Sequence, residues 1–180
     1  ITDFEEESKI MLRDKYLDKT MAVSSSTVYD FSIDEDKPES QGSDRFELQF
    51  LSPLRFKMDE VTAKAGKEFV VPVYADHIED IISTDMALSW DAEALTFVGV
   101  EETGMADMSD FDLTDVANGK LTLSTISELP EAQADGYQMF SLRFKAAHGY
   151  PTAELQFDRE SIRIKAINDI EMPFSTKDQL

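Results

Sequence analysis

Apolar residues recur at every second position of this chain, in short runs broken by turn signals. Leu54, Phe56 and Met58 alternate with charged residues. So do Phe69, Val71 and Val73 with Val70, Pro72 and Tyr74, and Met86, Leu88 and Trp90 with Asp85, Ala87 and Ser89. A period of two is that of a half-buried strand. No window carries a helical period beyond two turns. The best helical candidates, Phe4 to Tyr16 and Ala106 to Val116, each have a competing reading.

From Leu54 onward the strand signals are closely spaced. Leu95 to Val100 is a continuous apolar run, and Asn118-Gly119 is a turn leading into Lys120 to Ser124. Asp135-Gly136 leads into Phe140, Leu142 and Phe144. Leu155 to Phe157, Ile162 to Ile164 and a segment near Pro173-Phe174 follow. About nine strands at short spacing predict an all-β, antiparallel two-sheet sandwich, with the alternating apolar sets filling the space between the sheets. Pro72 inside a run predicts an edge or a bulge there.

Residues 1–52 read differently. Ile10 to Leu12 is a short apolar run, and Thr20 to Thr27 is polar and Ser-rich. Tyr29, Phe31 and Ile33 alternate, as do Phe46, Leu48 and Phe50, around the polar loop Asp34 to Asp44, which predicts a hairpin. So short a β segment buries little core alone. We therefore expect it to be the terminal strands of a preceding β-rich module or an N-terminal extension, with a sandwich over 53–180.

Composition narrows the function. Among 180 residues, 17 Lys and Arg stand against 37 Asp and Glu, a net charge of −20. Such a chain repels phosphate, which argues against nucleic acid. No apolar run approaches the roughly 20 residues of a membrane span. Without Cys there is no disulfide framework, thiolate metal site or Cys nucleophile. The chain starts at Ile1 without a basic-then-apolar leader, so we expect a piece of a longer protein or a mature product. Strong acidity leans towards an extracellular setting.

Between Lys67 and Lys120 there is no Lys or Arg, while 13 Asp and Glu occur. This reads either as a solvated acidic face or as a surface that meets a cation or a basic partner. Asp107, Asp110, Asp112 and Asp115 form a candidate Ca²⁺ loop, since carboxylates at short spacing suit that ion. The alternation of Phe111 and Leu113 with these acids also fits a strand with one wet face, so no metal is committed. Asp34-Glu35-Asp36 is a second candidate loop. His77 and His148 lie far apart, in no nucleophile elbow, metallohydrolase helix or phosphate loop, and read as turn residues. Trp90 shares the phase of Met86 and Leu88 and is expected in the core rather than on a sugar-binding platform.

Several segments in order resemble a known family. Ala65-Gly66-Lys67-Glu68-Phe69-Val70-Val71-Pro72-Val73 resembles the opening of cohesin-type modules. Met86 to Leu95 and Phe97-Val98-Gly99-Val100 resemble their next two strands, with Trp90 where Tyr is more usual. Asp135-Gly136-Tyr137 with Phe140 to Ala146 resembles a late strand. The resemblance spans roughly 54–175. It implies a jelly-roll sandwich that binds other proteins, a dockerin-like module among them, and performs no chemistry. The residues opposite the core phase, Asp85, Ala87, Ser89, Asp91, Thr122 and Ser124, suggest a partner-binding surface, as the resemblance implies for this kind of sheet face. An ordinary solvated face is the competing reading.

Leu12 to Tyr16, Tyr29-Asp30-Phe31 and Asp44 to Phe50 resemble the closing strands of β-rich modules in exported Bacteroidetes proteins, many of them type IX secretion cargo. The expectation is an adhesion, attachment or spacer module of a secreted or surface protein. A carbohydrate-binding module attached to a secreted glycoside hydrolase is the alternative, and a hydrolase fragment a third reading.

Overall fold

The computed structural model describes residues 7–101, 104, 107–129, 132–166 and 170–177; for 127–129 only the backbone is described. It divides into two compact units, Ile1–Pro53 and Leu54–Leu180.

The first unit is a three-stranded antiparallel sheet. Its strands are β1 (Lys9–Asp14), β2 (Lys19–Val23) and β3 (Phe46–Leu51), in the order β2-β1-β3. Ile10 lies opposite Val23 and Phe50, and Leu12 opposite Met21 and Leu48. Directly opposed residues share a face, so these six make one apolar side of the sheet. Leu48 and Phe50 on that side are more than half exposed.

The expected hairpin is corrected here. Tyr29 to Ile33 forms no strand, and the partner of β3 is β1. The alternating aromatics have another use: Tyr29 and Phe31 pack against the Phe46 ring, at 6.0 and 4.8 Å between centroids. Tyr29 also donates its hydroxyl to Asp14 Oδ2 at 2.9 Å. The segment is held by its side chains, so it needs no ladder.

The second unit is a β-sandwich of ten described strands. They are β4 (Leu54–Met58), β5 (Glu68–Asp76), β6 (Ile81–Trp90), β7 (Leu95–Glu101), β8 (Phe111–Asp112), β9 (Lys120–Leu129), β10 (Tyr137–Ala146), β11 (Leu155–Ala166), β12 (Ile170–Glu171) and β13 (Phe174–Lys177). One sheet runs β13-β4-β5-β10-β7 and the other β12-β11-β6-β9-β8. All pairs are antiparallel except β13 with β4, which is parallel. Pro72 lies just beyond Val73, the last residue of β5 that β4 pairs, so β5 is a local edge there.

The predicted alternation is the core. Phe56, Val73, Phe140, Leu142 and Phe144 of one sheet, and Met86, Leu88, Leu121 and Ile164 of the other, are essentially inaccessible. Aromatic rings join the two layers. Phe56 lies 6.0 Å from Phe157, Trp90 5.0 Å from Phe144 and Phe111 5.3 Å from Phe140. Trp90 is 7% exposed, and its indole N–H donates to Leu95 O at 3.1 Å.

The helical candidates resolve into other elements. β1 occupies Lys9–Asp14. Among the described residues of the second candidate, a 3₁₀ turn, Met108–Asp110, precedes β8, and another, Val116–Asn118, begins at the candidate's end. In the first, Ile10 and Leu12 at alternate positions meet partner strands, and that ladder outweighs a short isolated helix; in the second, the buried Phe111 pairs with Leu123 of β9.

Candidate functional site

The sheet β12-β11-β6-β9-β8 turns Met86, Leu88, Leu121 and Leu123 inward. The residues between them therefore face out. Three registers arrange that outer surface. Asp85 lies between Arg163 on β11 and Ser124 on β9. Ala87 lies between Asp158 and Thr122, and Thr122 is followed by Asp112 on β8. Ser89 lies between Gln156 and Lys120.

Asp85, Ala87, Ser89, Thr122 and Ser124, singled out from the sequence, thus share one patch. Ser124 donates its hydroxyl to Asp85 Oδ1 at 2.5 Å. Asp91 stands apart, in the turn after β6. There its side chain accepts the Glu93 N–H at 2.8 Å, and its carbonyl accepts those of Ala94 and Leu95.

Sequence reasoning missed the irregular middle of β11. Between the pairs Asp158–Ala87 and Arg163–Asp85 four residues on β11 stand opposite Met86 alone. The signal was present: Leu155 and Phe157 are buried at odd positions, Ile162 and Ile164 at even ones. One strand that slips phase contains a bulge, and Leu155 to Phe157 and Ile162 to Ile164 are two halves of the single strand β11. Ser161 closes the swelling, donating to Asp158 O at 2.7 Å and accepting the Ala87 N–H at 2.8 Å. Ala87 is consequently only 1% exposed although it faces outward. Lys120 and Asp158 approach to 3.9 Å across the patch. Ile126 of β9, paired with Ser83, is 89% exposed beside it.

The candidate Ca²⁺ loop does not converge. Asp107 and Asp110 cap the 3₁₀ turn reciprocally, Asp110 accepting the Asp107 N–H at 2.8 Å. Asp112 accepts both the backbone N–H and the hydroxyl of Thr114, at 2.9 and 2.7 Å, and these bonds hold its carboxyl below the usual range. Asp115 accepts the Asn118 amide at 3.1 Å. In the other acidic loop Asp34 accepts the Asp36 N–H at 3.1 Å. Among the described residues no three His, Asp or Glu side chains group closely enough to hold a metal ion.

The histidines take structural places. His77 has left-handed backbone (φ 62°) and donates its N–H to Asp135 Oδ1 at 3.2 Å. The His148 ring packs over Gly66, where an added Cβ would meet Nε2 at 2.8 Å. Among the described residues no helix is long and apolar enough to cross a membrane, which says nothing about β-barrels.

Comparison with known proteins adds the following. The family model described as "Cohesin domain" matches residues 54–162. No curated protein sequence matches this one. Among solved structures, a type I cohesin–dockerin complex from Clostridium thermocellum is similar at 15% identity and a TM-score of 0.59, covering 71% of this chain and 96% of that chain. The sixth cohesin of scaffoldin B from Acetivibrio cellulolyticus, in complex with a Cel5 dockerin, is similar at 16% identity and 0.59, covering 71% and 96%. A non-cellulosomal cohesin from the archaeon Archaeoglobus fulgidus is similar at 19% identity and 0.57, covering 71% and 88%. At these identities the structures speak to fold alone. The two sheets of residues 54–177 have that fold.

Proposed function

As this chain belongs to the cohesin family through residues 54–162, we propose that its second unit docks a dockerin-like protein module on the outer face of β11-β6-β9-β8. The module is non-catalytic and acts by protein–protein interaction. What supports this particular face is its chemistry. Asp85, Ser89, Thr122 and Ser124 lie in register on adjacent strands, with short polar side chains that can form hydrogen bonds without filling the surface. Two of the similar solved structures are complexes with dockerins by their own descriptions.

The wider setting is part of the same proposal. We take the protein to be exported and surface-attached or secreted, with the module serving attachment or spacing. The first unit would close a β-rich module of Bacteroidetes type. Its apolar side, with Leu48 and Phe50 more than half exposed, supports a layer that packs on further β structure.

The test is an array of dockerin modules, including those of the Clostridium thermocellum and Acetivibrio cellulolyticus complexes, read by calorimetry. At least one should bind, and Thr122→Trp should weaken it at least tenfold. Val98→Trp, on the other sheet, should not. Binding that ignores Thr122→Trp would move the site elsewhere. Retardation in polysaccharide gels with no dockerin bound would favour the carbohydrate-binding alternative.

A further inference from the structure

We propose that the first unit binds a neutral saccharide in the cleft between the β1–β2 turn and the loop that leads into β3. The inference is independent of the docking reading, which concerns the second unit. The cleft has a volume of about 480 Å³, within the range of small-ligand sites. Lys15, Tyr16, Glu39, Gly42, Asp44 and Arg45 line it.

The walls are fixed by the protein's own bonds. On one side, the Ser40 hydroxyl donates to Asp34 O at 2.8 Å and accepts the Asp34 N–H at 2.9 Å, which closes the loop on itself. The Arg45 N–H donates to Gly42 O at 3.2 Å. On the other side, the Lys15 N–H donates to Arg45 O at 2.8 Å and the Tyr16 N–H to Asp14 Oδ1 at 3.1 Å. Arg45 therefore joins both walls, and its guanidinium lies 5.1 Å from the Tyr16 ring centroid. A site held in this way loses little freedom when it is filled. Gly42 leaves room in it: a Cβ there would meet only Pro38 O at 3.8 Å and Asp44 N at 3.9 Å.

The groups left without partners define the ligand. A guanidinium carries five N–H donors. Arg45 directs one from Nε and one from Nη2 to Asp14, and two from Nη1 to Ser32 O and Ser40 O. The second Nη2 hydrogen has no acceptor among the described residues, on a side chain only 1% exposed. A donor so buried calls for an acceptor. Beside it, the Glu39 carboxylate and the Tyr16 hydroxyl also lack hydrogen-bond partners among the described residues, and Asp44 meets only the Ser43 hydroxyl, at 3.5 Å. Lys15 is paired with Glu47 at 3.3 Å. An anion would face Glu39 and Asp44. A cation would leave the Arg45 donor unmet and would face Lys15 as well. An apolar molecule would satisfy none of these groups. A neutral polyhydroxylated ring serves them all: its hydroxyls donate to the two carboxylates, while its oxygens accept from Arg45 and Tyr16.

The probes are the methyl pyranosides of glucose, galactose, mannose and xylose, with maltose and cellobiose, each titrated into the full ¹⁵N-labelled chain. Glucuronate and glucosamine are the charged controls. At least one neutral sugar should shift the amides of Tyr16, Gly42, Asp44 and Arg45 to saturation at millimolar concentration, and both charged sugars should bind more weakly. Glu39→Gln with Asp44→Asn should weaken that sugar roughly tenfold, because hydrogen bonds to charged acceptors are the stronger ones. Tyr16→Phe keeps the ring beside Arg45 and should weaken it severalfold. Gly42→Phe should abolish the shifts by filling the cleft. In each variant the rest of the spectrum should stay as in the wild type, which separates loss of the sugar from loss of the fold. No neutral sugar shifting these amides would overturn the site. So would equal shifts at Val70 and Tyr74 of the second unit, tighter binding of glucuronate, or sugar shifts that persist in Gly42→Phe. None of these outcomes bears on docking, which is read from dockerin binding and Thr122→Trp.

Discussion

Arg45 grips Asp14 with two parallel hydrogen bonds, Nε to Oδ1 at 3.0 Å and Nη2 to Oδ2 at 2.7 Å, and each side chain is only 1% exposed. The remaining donor atom, Nη1, reaches Ser32 O and Ser40 O at 2.8 and 2.7 Å. The guanidinium lies about 5 Å from the ring centroids of Tyr16, Phe31 and Phe46. One side chain thereby ties β1, the Tyr29–Ile33 segment, the Pro38–Ser40 turn and the start of β3. Removing one partner of a buried pair strands the other charge, which is among the costliest single changes. Arg45→Met should lower the melting temperature of the first unit by roughly 10 °C or more. The sole Trp, Trp90, reports the second unit, so its fluorescence transition should stay in place while amide exchange of β1 accelerates. Unchanged exchange at Leu12 and Arg13 would show that the pair organises nothing.

Two glycines with the same backbone twist should respond differently to alanine. Gly119 and Gly136 both have φ of 80°. A Cβ on Gly119 would sit 2.1 Å from Trp90 O, whereas one on Gly136 would meet nothing within 4 Å. Gly119 O also accepts the Trp90 N–H at 2.9 Å, so the close approach belongs to the ladder. Gly136→Ala should cost only the left-handed penalty, about 1 kcal/mol. Gly119→Ala adds displacement of backbone and should cost roughly 3 kcal/mol in denaturant unfolding. Equal losses would mean that the Trp90 contact relaxes freely.

Much of this fold was legible because its core obeys one period. Met86, Leu88 and Trp90 point inward as their alternation requires, and Asn118-Gly119 turns where such a pair should. Register was not legible. It depends on which strands meet, and Phe31 alternates as well as Phe46 does while packing beside Arg45 rather than joining a ladder. The face holding Asp85, Ser89, Thr122 and Ser124 could be read from phase alone, since those residues occupy the positions opposite the core. Asp91 could not, because phase carries no information once the strand has ended. The swelling at residues 159–162 was encoded in a slip from odd to even burial, a signal that appears only when Leu155 and Ile164 are recognised as one strand.

Calcium should leave the protein's stability nearly unchanged. Metal binding stabilises by its affinity for the folded state alone, and an ion of this kind needs six to eight oxygens arranged around it. Asp110, Asp112 and Asp115 instead spend carboxylate oxygens on neighbouring N–H and hydroxyl donors. Millimolar Ca²⁺ should therefore shift the melting temperature by about 1 °C or less. A rise of many degrees that Asp110→Ala abolishes would show that the loop rearranges into a site.

Acid should attack the second unit through Asp76. This residue at the end of β5 is 6% exposed; it accepts two hydrogen bonds from Lys57 Nζ, at 2.9 and 3.0 Å, and one from the Gly136 N–H, at 2.6 Å. Burial pushes its pKa up, but the Lys57 ammonium and the Gly136 amide together outweigh that and hold the carboxyl below its ordinary value of 3.8. A carboxyl whose folded pKa lies below its unfolded one binds protons more readily when unfolded. Its contribution is complete well above pH 3.8 and fades as pH falls through that value to the lower folded pKa. Asp76→Asn keeps the shape but loses the charge, so it should cost about 2 kcal/mol at neutral pH. The wild-type and variant stabilities should converge as pH drops below about 4. A gap that stays constant down to acid would assign the loss to altered packing at the β5 end rather than to the carboxylate.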